Sequence, residues 1–206
     1  MRHRVFIAIN LPEDIKKKLA DYQSKWPTLP IRWTKKENLH ITLVFLGYLN
    51  DDELLEICKI TKEAASQNQS FSVNLNKIYY GPRTGPPSSR EGLASRPKKI
   101  PRMVWVEGEK SREFTKLQID LEKSLMISEE VHPALSQKER GRAFSPHITL
   151  GRIKTWEFRQ IEPEERPEVN EEINLSFEVN SIEIMESELK RGGSEYAVLE
   201  SCLLKS

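Results

Sequence analysis

One tetrapeptide, His-Ile-Thr-Leu, occurs twice, at residues 40–43 and 147–150, and it constrains this chain more than any other feature. The first copy sits in Leu39–Gly47, the second in Pro146–Arg152. Each surrounding run is apolar and β-branched, with a Gly soon after, which predicts a short buried strand. Side chains alternate along a strand, so His40 and Thr42 share one face while Ile41 and Leu43 take the other. His147 and Thr149 repeat this against Ile148 and Leu150. The copies lie 147 − 40 = 107 residues apart in a chain of 206, which suggests one half-site per half-molecule.

A single His in an apolar strand is ordinarily a core or edge residue satisfied by a backbone carbonyl. Packing has no need for the same His-x-Thr twice in a chain with four histidines. Burying an imidazole and a hydroxyl together in each strand costs free energy unless both are hydrogen-bonded. The repeat therefore points to chemistry.

Around the motifs the chain reads as alternating strands and helices. Val5, Ile7 and Ile9 alternate with Phe6 and Ala8, apolar on both faces, as in a central strand. Pro12 opens a helix with Ile15, Leu19, Tyr22 and Trp26 on one stripe. Ile31–Trp33 is expected to extend the first motif strand or pair with it. Asn50 and Glu53 form a capping signal for a helix carrying Leu54, Ile57, Cys58, Thr61 and Ala65. Phe71, Val73 and Leu75 alternate as a strand, and Met103–Val106 is another. Ser111 caps a helix with Phe114, Leu117, Leu121 and Leu125 on one face. Val131–Arg142, with His132, is expected to be a polar loop. Leu175, Phe177 and Val179 alternate before the parity shifts to Ile182 and Ile184, which suggests a bulge. Arg191–Gly193 is a turn before a last strand, Tyr196–Leu204.

Two stretches break the pattern. Residues 81–102 hold five prolines and six basic residues (Arg83, Arg90, Arg96, Lys98, Lys99, Arg102) against Glu91. They carry no hydrophobic period and are expected to form a long loop. Gly81 and Gly85 lack the strand-loop-helix setting and Gly-Lys-Ser/Thr ending of a phosphate loop. Residues 154–172 are acidic and are expected to be a loop with a turn of helix.

Charge and cysteines limit the classes. A net charge of +1 gives no global attraction for nucleic acid, so any basic footprint is local. No stretch approaches the roughly 20 apolar residues of a membrane span, and the N-terminus runs straight into a strand without a signal peptide. Cys58 and Cys202 are too few for a disulfide framework, so a cytoplasmic protein with reduced thiols is expected. One domain spanning residues 1–206, with 81–102 and 154–172 as insertions, suits this length.

With these residues in place, the sequence resembles the 2H phosphoesterases, named for two His-x-Thr/Ser motifs. Within them it is similar to the RNA 2′,3′-cyclic phosphodiesterases, also called 2′-5′ RNA ligase-like proteins. Arg4–Leu11 resembles the family's opening strand, Trp33–Gly47 its first motif, Phe144–Arg152 its second and Arg191–Leu199 its closing strand. The resemblance agrees with an α+β fold of two pseudo-symmetric lobes. Each is an antiparallel sheet with helices on its outer face, around a central cleft carrying one His-x-Thr motif per lobe.

Two His near neutrality can serve as an acid and base pair. On opposite walls they suit an in-line displacement at phosphorus, one taking a proton from water while the other protonates the departing ribose oxygen. By resemblance His40 is the proton donor, His147 the proton acceptor and the product a 2′-phosphate. Thr42 and Thr149 can each donate to a non-bridging phosphate oxygen. Arg152 could add a phosphate clamp. Strict alternation puts it on the face of Ile148 and Leu150, so it reaches the cleft only if the strand bends or ends at Gly151. Phe45 and Trp33 could stack on a base, but are read as core aromatics and left outside the site. A strained cyclic phosphate needs no metal, and no ligand cluster flanks either motif, so no cofactor is expected. The expected partner is RNA with a 2′,3′-cyclic phosphate end, tRNA fragments or cyclic nucleotides among the candidates, acted on by a monomer away from membranes. A nucleotide-binding module and an RNA end-joining activity at the same site remain alternatives.

Overall fold

The computed structural model describes residues 1–82, 100–127, 145–191 and 193–206. Its strands are β1 (His3–Asn10), β2 (Ile31–Trp33), β3 (His40–Leu49), β4 (Phe71–Gly81), β5 (Met103–Gly108), β6 (His147–Ile153), β7 (Asn170–Val179), β8 (Ser181–Lys190) and β9 (Gly193–Leu203). The helices are α1 (Glu13–Gln23), α2 (Asp51–Ser66), α3 (Arg112–Ile127) and the short α4 (Thr155–Arg159). The class is α+β and every pairing between these strands is antiparallel.

Local signals explain most elements. Asn50 and Glu53 form a reciprocal capping box at the start of α2, and Ser111 Oγ accepts from the Phe114 N–H at the start of α3. The α3 stripe of Phe114, Leu117, Leu121 and Leu125 is fully buried, as are Ile15 and Leu19 of α1. Such burial contributes about 1.5–3 kcal/mol for each large apolar side chain.

The strands follow the order β7-β4-β5-β6-β3-β1-β8-β9, with β2 attached to β6. Two groups of four meet at β3 and β6, the motif strands, joined through the pair Ile41 and Ile148. The groups do not coincide with the halves of the chain. β4 lies with the second motif, while β8 and β9 lie with the first. β1 shows why: apolar on both faces, it needs a partner along each edge, and β3 and β8 supply them.

Three sequence expectations change. Ile31–Trp33 pairs with the second motif strand, Trp33 opposite Gly151, and not with the first. The parity change after Val179 is a strand break, not a bulge: β7 pairs with β4 and β8 with β1 and β9, with only Asn180 between them. In the acidic stretch 154–172, α4 is the expected turn of helix, and β7 begins at Asn170. The basic loop is described only at its ends, where Gly81 closes β4 and Ile100, Pro101 and Arg102 precede β5. Its Arg83, Arg90, Arg96, Lys98 and Lys99, and the stretch Val131–Arg142 with His132, lie outside the described residues. No helix among the described residues is long and apolar enough to cross a membrane.

Candidate active site

The two motif strands carry the same pattern of burial. From His40 and from His147 it runs partly buried, buried, partly buried, buried, buried, exposed, buried. His40, Thr42, His147 and Thr149 all line one cleft of about 1360 Å³. Continuing the Ile41–Ile148 register by one residue each way sets His40 against Thr149 and Thr42 against His147, a local pseudo-twofold.

Each imidazole is held in the same way. His40 Nδ1 lies 2.8 Å from the Asn38 carbonyl, and His147 Nδ1 lies 2.8 Å from the Ser145 carbonyl. A carbonyl only accepts, so Nδ1 carries the hydrogen and Nε2 is left as the basic nitrogen of each neutral ring. The Thr42 hydroxyl donates to His40 Nε2 across 2.9 Å.

Aromatic rings close around both. Tyr196 meets His40 edge-on at 5.2 Å between centroids, with Phe6 tilted at 5.0 Å. Trp105 stacks on His147 at 3.8 Å and 27°. Burial therefore pushes both histidines below their ordinary value of 6.5. The carbonyl bond opposes this in each, while the Lys16 ammonium and the charge of His147 push His40 lower still. Both rings are chiefly neutral at pH 7.

Two residues lie differently from the strict-alternation reading. Arg152 lines the cleft with His147, because β6 has a register shift against β5 at Leu150–Gly151. Two consecutive buried residues there restore Arg152 to the face of His147 and Thr149. Phe45 is not a core residue: it is 56% exposed and lines the same cleft, as does the partly buried Trp33. The same kind of shift, at Leu43–Val44 against β1, turns Phe45 inward to the cleft.

Sequence reasoning missed the supports. Asn38 and Ser145 stand two residues before each His, and only that shared spacing hints at them. Asn38 is buried and its side chain donates to the Ser194 carbonyl of β9 across 2.7 Å. Gly81 lies flat against Trp105, and a Cβ there would come within 2.2 Å of the indole ring. Phe6, Trp105 and Tyr196 reach the histidines only through strand pairing, so no local signal marks them. Among the described residues, no three His, Cys, Asp or Glu side chains converge as a metal site. Cys202 is buried, and its thiol is pushed up to about 12, as suits a core residue.

Comparisons with known proteins agree with this geometry. The family model described as LigT like Phosphoesterase matches residues 9–89, a span holding the first motif. A Methanocaldococcus jannaschii protein named RNA 2′,3′-cyclic phosphodiesterase is 28% identical over 198 residues, covering 96% of this chain and 98% of that relative. A Thermotoga maritima protein of the same name is 28% identical over 204 residues, covering 97% and 94%. Among solved structures, a protein of Thermus thermophilus superposes with a TM-score of 0.75 at 26% identity, covering 98% of each chain. E. coli LigT complexed with 3′-AMP gives 0.73 at 23% identity over 100% of each chain, a likeness of fold.

Proposed function

We propose that this chain, whose residues 9–89 match the LigT-like phosphoesterase model and whose full length resembles proteins named RNA 2′,3′-cyclic phosphodiesterase, hydrolyses RNA 2′,3′-cyclic phosphate ends to 2′-phosphomonoesters without a metal ion. The observation that carries this reading is the pair of imidazoles, each fixed through Nδ1 and each lining one cleft beside a Thr hydroxyl. Relatives named for this activity span nearly the whole chain.

In this reaction His147 takes a proton from water as its oxygen bonds to phosphorus. The bond from phosphorus to the ribose 3′-oxygen breaks, and His40 gives that oxygen its proton. One proton enters the site and one leaves, so the two histidines end with exchanged charges. The lowered pKa of His40 supports its role, because a weaker hold on the proton makes a stronger acid. The face of Trp105 against His147 favours the imidazolium that His147 becomes. An anionic phosphate between the rings raises both values and supplies the protonated partner. Thr42, Thr149 and Arg152 hold its non-bridging oxygens. One chain carries both histidines, so a monomer suffices.

The test is EDTA-treated protein on RNA ending in a 2′,3′-cyclic phosphate, with the product read by phosphorus NMR. Full turnover to the 2′-phosphate is expected. Activity that vanishes with EDTA and returns with a divalent ion overturns the metal-free reaction.

A further inference from the structure

Charge is unevenly spread along the cleft. The histidines aside, its charged lining side chains among the described residues are Arg4, Arg32, Lys35, Glu122 and Arg152. Arg32, Lys35 and Arg152 gather at one end, and strand pairing shows why. β6 gives one edge to β5. On its other edge β3 pairs only at Ile148, and β2 takes over from Gly151 to Ile153. Arg32 is thereby set directly opposite Arg152, both exposed and both lining the cleft. A net charge of +1 gives no general pull on RNA, so this end is a local basic footprint.

Directly opposite side chains on neighbouring strands start about 5 Å apart, and like charges so placed repel. An anion beside them relieves that repulsion. The cyclic phosphate accounts for Arg152, which shares a face with His147 and Thr149. Arg32 points elsewhere. Its guanidinium lies against Gly193 at the head of β9, where a Cβ would come within 2.5 Å of Nη2. In the strand order β9 is far from β6, so Arg32 extends away from β6 toward the hairpin of the opposite wall. The two guanidinia start side by side and serve separate places. The last nucleotide of an RNA chain presents two phosphates flanking one ribose: the cyclic group on O2′ and O3′, and the phosphodiester on O5′. We propose that Arg32, with Lys35 at the same end, binds the phosphodiester at O5′ of the terminal nucleotide while Arg152 holds the cyclic phosphate. This rests on the cyclic phosphodiesterase reading and deepens it: the preferred substrate is an RNA chain end, not a free cyclic nucleoside phosphate. Recognition through a phosphate carries no sequence information.

Two substrates isolate that phosphate. One is adenosine 2′,3′-cyclic phosphate with a free O5′. The other carries a methyl phosphate on O5′, with the single charge of an RNA linkage. Wild-type protein is expected to turn over the second with a kcat/KM about tenfold higher, the contribution of one charge-assisted contact. The gain should lie in KM and fade as salt rises. Arg32→Gln should abolish it, and Arg32→Lys should keep part, since the charge remains while the fork is lost. A wild-type enzyme that treats the two substrates alike overturns the proposal, as does a preference that Arg32→Gln leaves intact. A preference indifferent to salt overturns it without recourse to any variant. Equal losses on both substrates would place Arg32 at the scissile phosphate or in the fold, and would also overturn it. If wild-type protein hydrolyses neither, the hydrolytic reading fails, and the subsite is judged by binding. Adenosine 2′,5′-bisphosphate must then bind about tenfold more tightly than adenosine 2′-monophosphate, and Arg32→Gln must remove the difference, or the proposal falls.

Discussion

His40 and His147 each give Nδ1–H to a carbonyl two residues upstream, yet the two walls hold that arrangement by different means. On the first wall the carbonyl belongs to Asn38, whose buried side chain is tied to Ser194 across the β8–β9 hairpin. Tyr196 of the same hairpin meets the ring edge-on. On the second wall the carbonyl belongs to the exposed Ser145, and support comes from the indole of Trp105 stacked on the ring and backed by Gly81. One imidazole is fixed through its acceptor, the other through its face. A repeated word can therefore build two equivalent nitrogens on unrelated foundations, because each foundation comes from whichever strands the topology brings alongside.

The comparison is broken most severely by removing the imidazoles. His40→Ala and His147→Ala should each lower turnover at least about 10²-fold, measured on a 2′,3′-cyclic nucleotide. If either variant keeps near-full activity, the two walls are not an acid and base pair.

Gly81→Ala tests the second foundation. The added methyl cannot coexist with Trp105 where it lies, and overpacking of this kind costs about 1–3 kcal/mol. A lower thermal midpoint is expected, with kcat falling more than KM rises. Trp105→Leu, which removes the stack without the clash, should also lower kcat. Intact turnover in Trp105→Leu would show that the indole is only packing.

Asn38→Ala tests the first foundation. Losing the bond to Ser194 should cost about 1 kcal/mol of stability and lower kcat about tenfold. Its distinguishing mark is a displaced limb of the pH profile. A loss of stability alone, with an unmoved profile, would make Asn38 structural.

Thr42→Val and Thr149→Val sharpen the comparison further. Each removes one hydrogen bond among several and should cost less than a histidine. Thr42→Val should also alter the pH profile more, since its hydroxyl donates to His40 Nε2 in the free protein.

The smallest effect concerns pH itself. Both histidines lie below 6.5, so the neutral base becomes available, and the protonated acid is lost, at lower pH than for free imidazole. The kcat/KM profile should be bell-shaped with its maximum below pH 6.5, its two apparent values belonging to the coupled pair. The kcat profile should lie higher, because the bound phosphate favours the imidazolium. A kcat/KM maximum well above 6.5 would mean that burial does not govern these rings. The same sign holds for stability: their contribution is complete above 6.5 and is lost as pH falls toward the lower folded values.

Much of this was written locally. The repeat itself, the face shared by His and Thr, the Asn50–Glu53 box, the Ser111 cap and the buried α3 stripe follow from residues within a few positions of one another, where periodicity and capping act. Arg152 and Phe45 lie at the limit of that reach. The adjacent buried pairs Leu43–Val44 and Leu150–Gly151 break the alternation visibly in the sequence, but only pairing with β1 and β5 shows that each is a register shift turning the next residue toward the cleft. The remainder was decided by tertiary structure alone: which strand Ile31–Trp33 joins, which group β4 and β8 enter, and which rings press on the histidines. Those contacts join residues as distant as Asn38 and Ser194, or His40 and Tyr196, and their partners are set by strand order. A chain fixes its strands through local pattern, but it fixes their neighbours only when the whole sheet closes over its core.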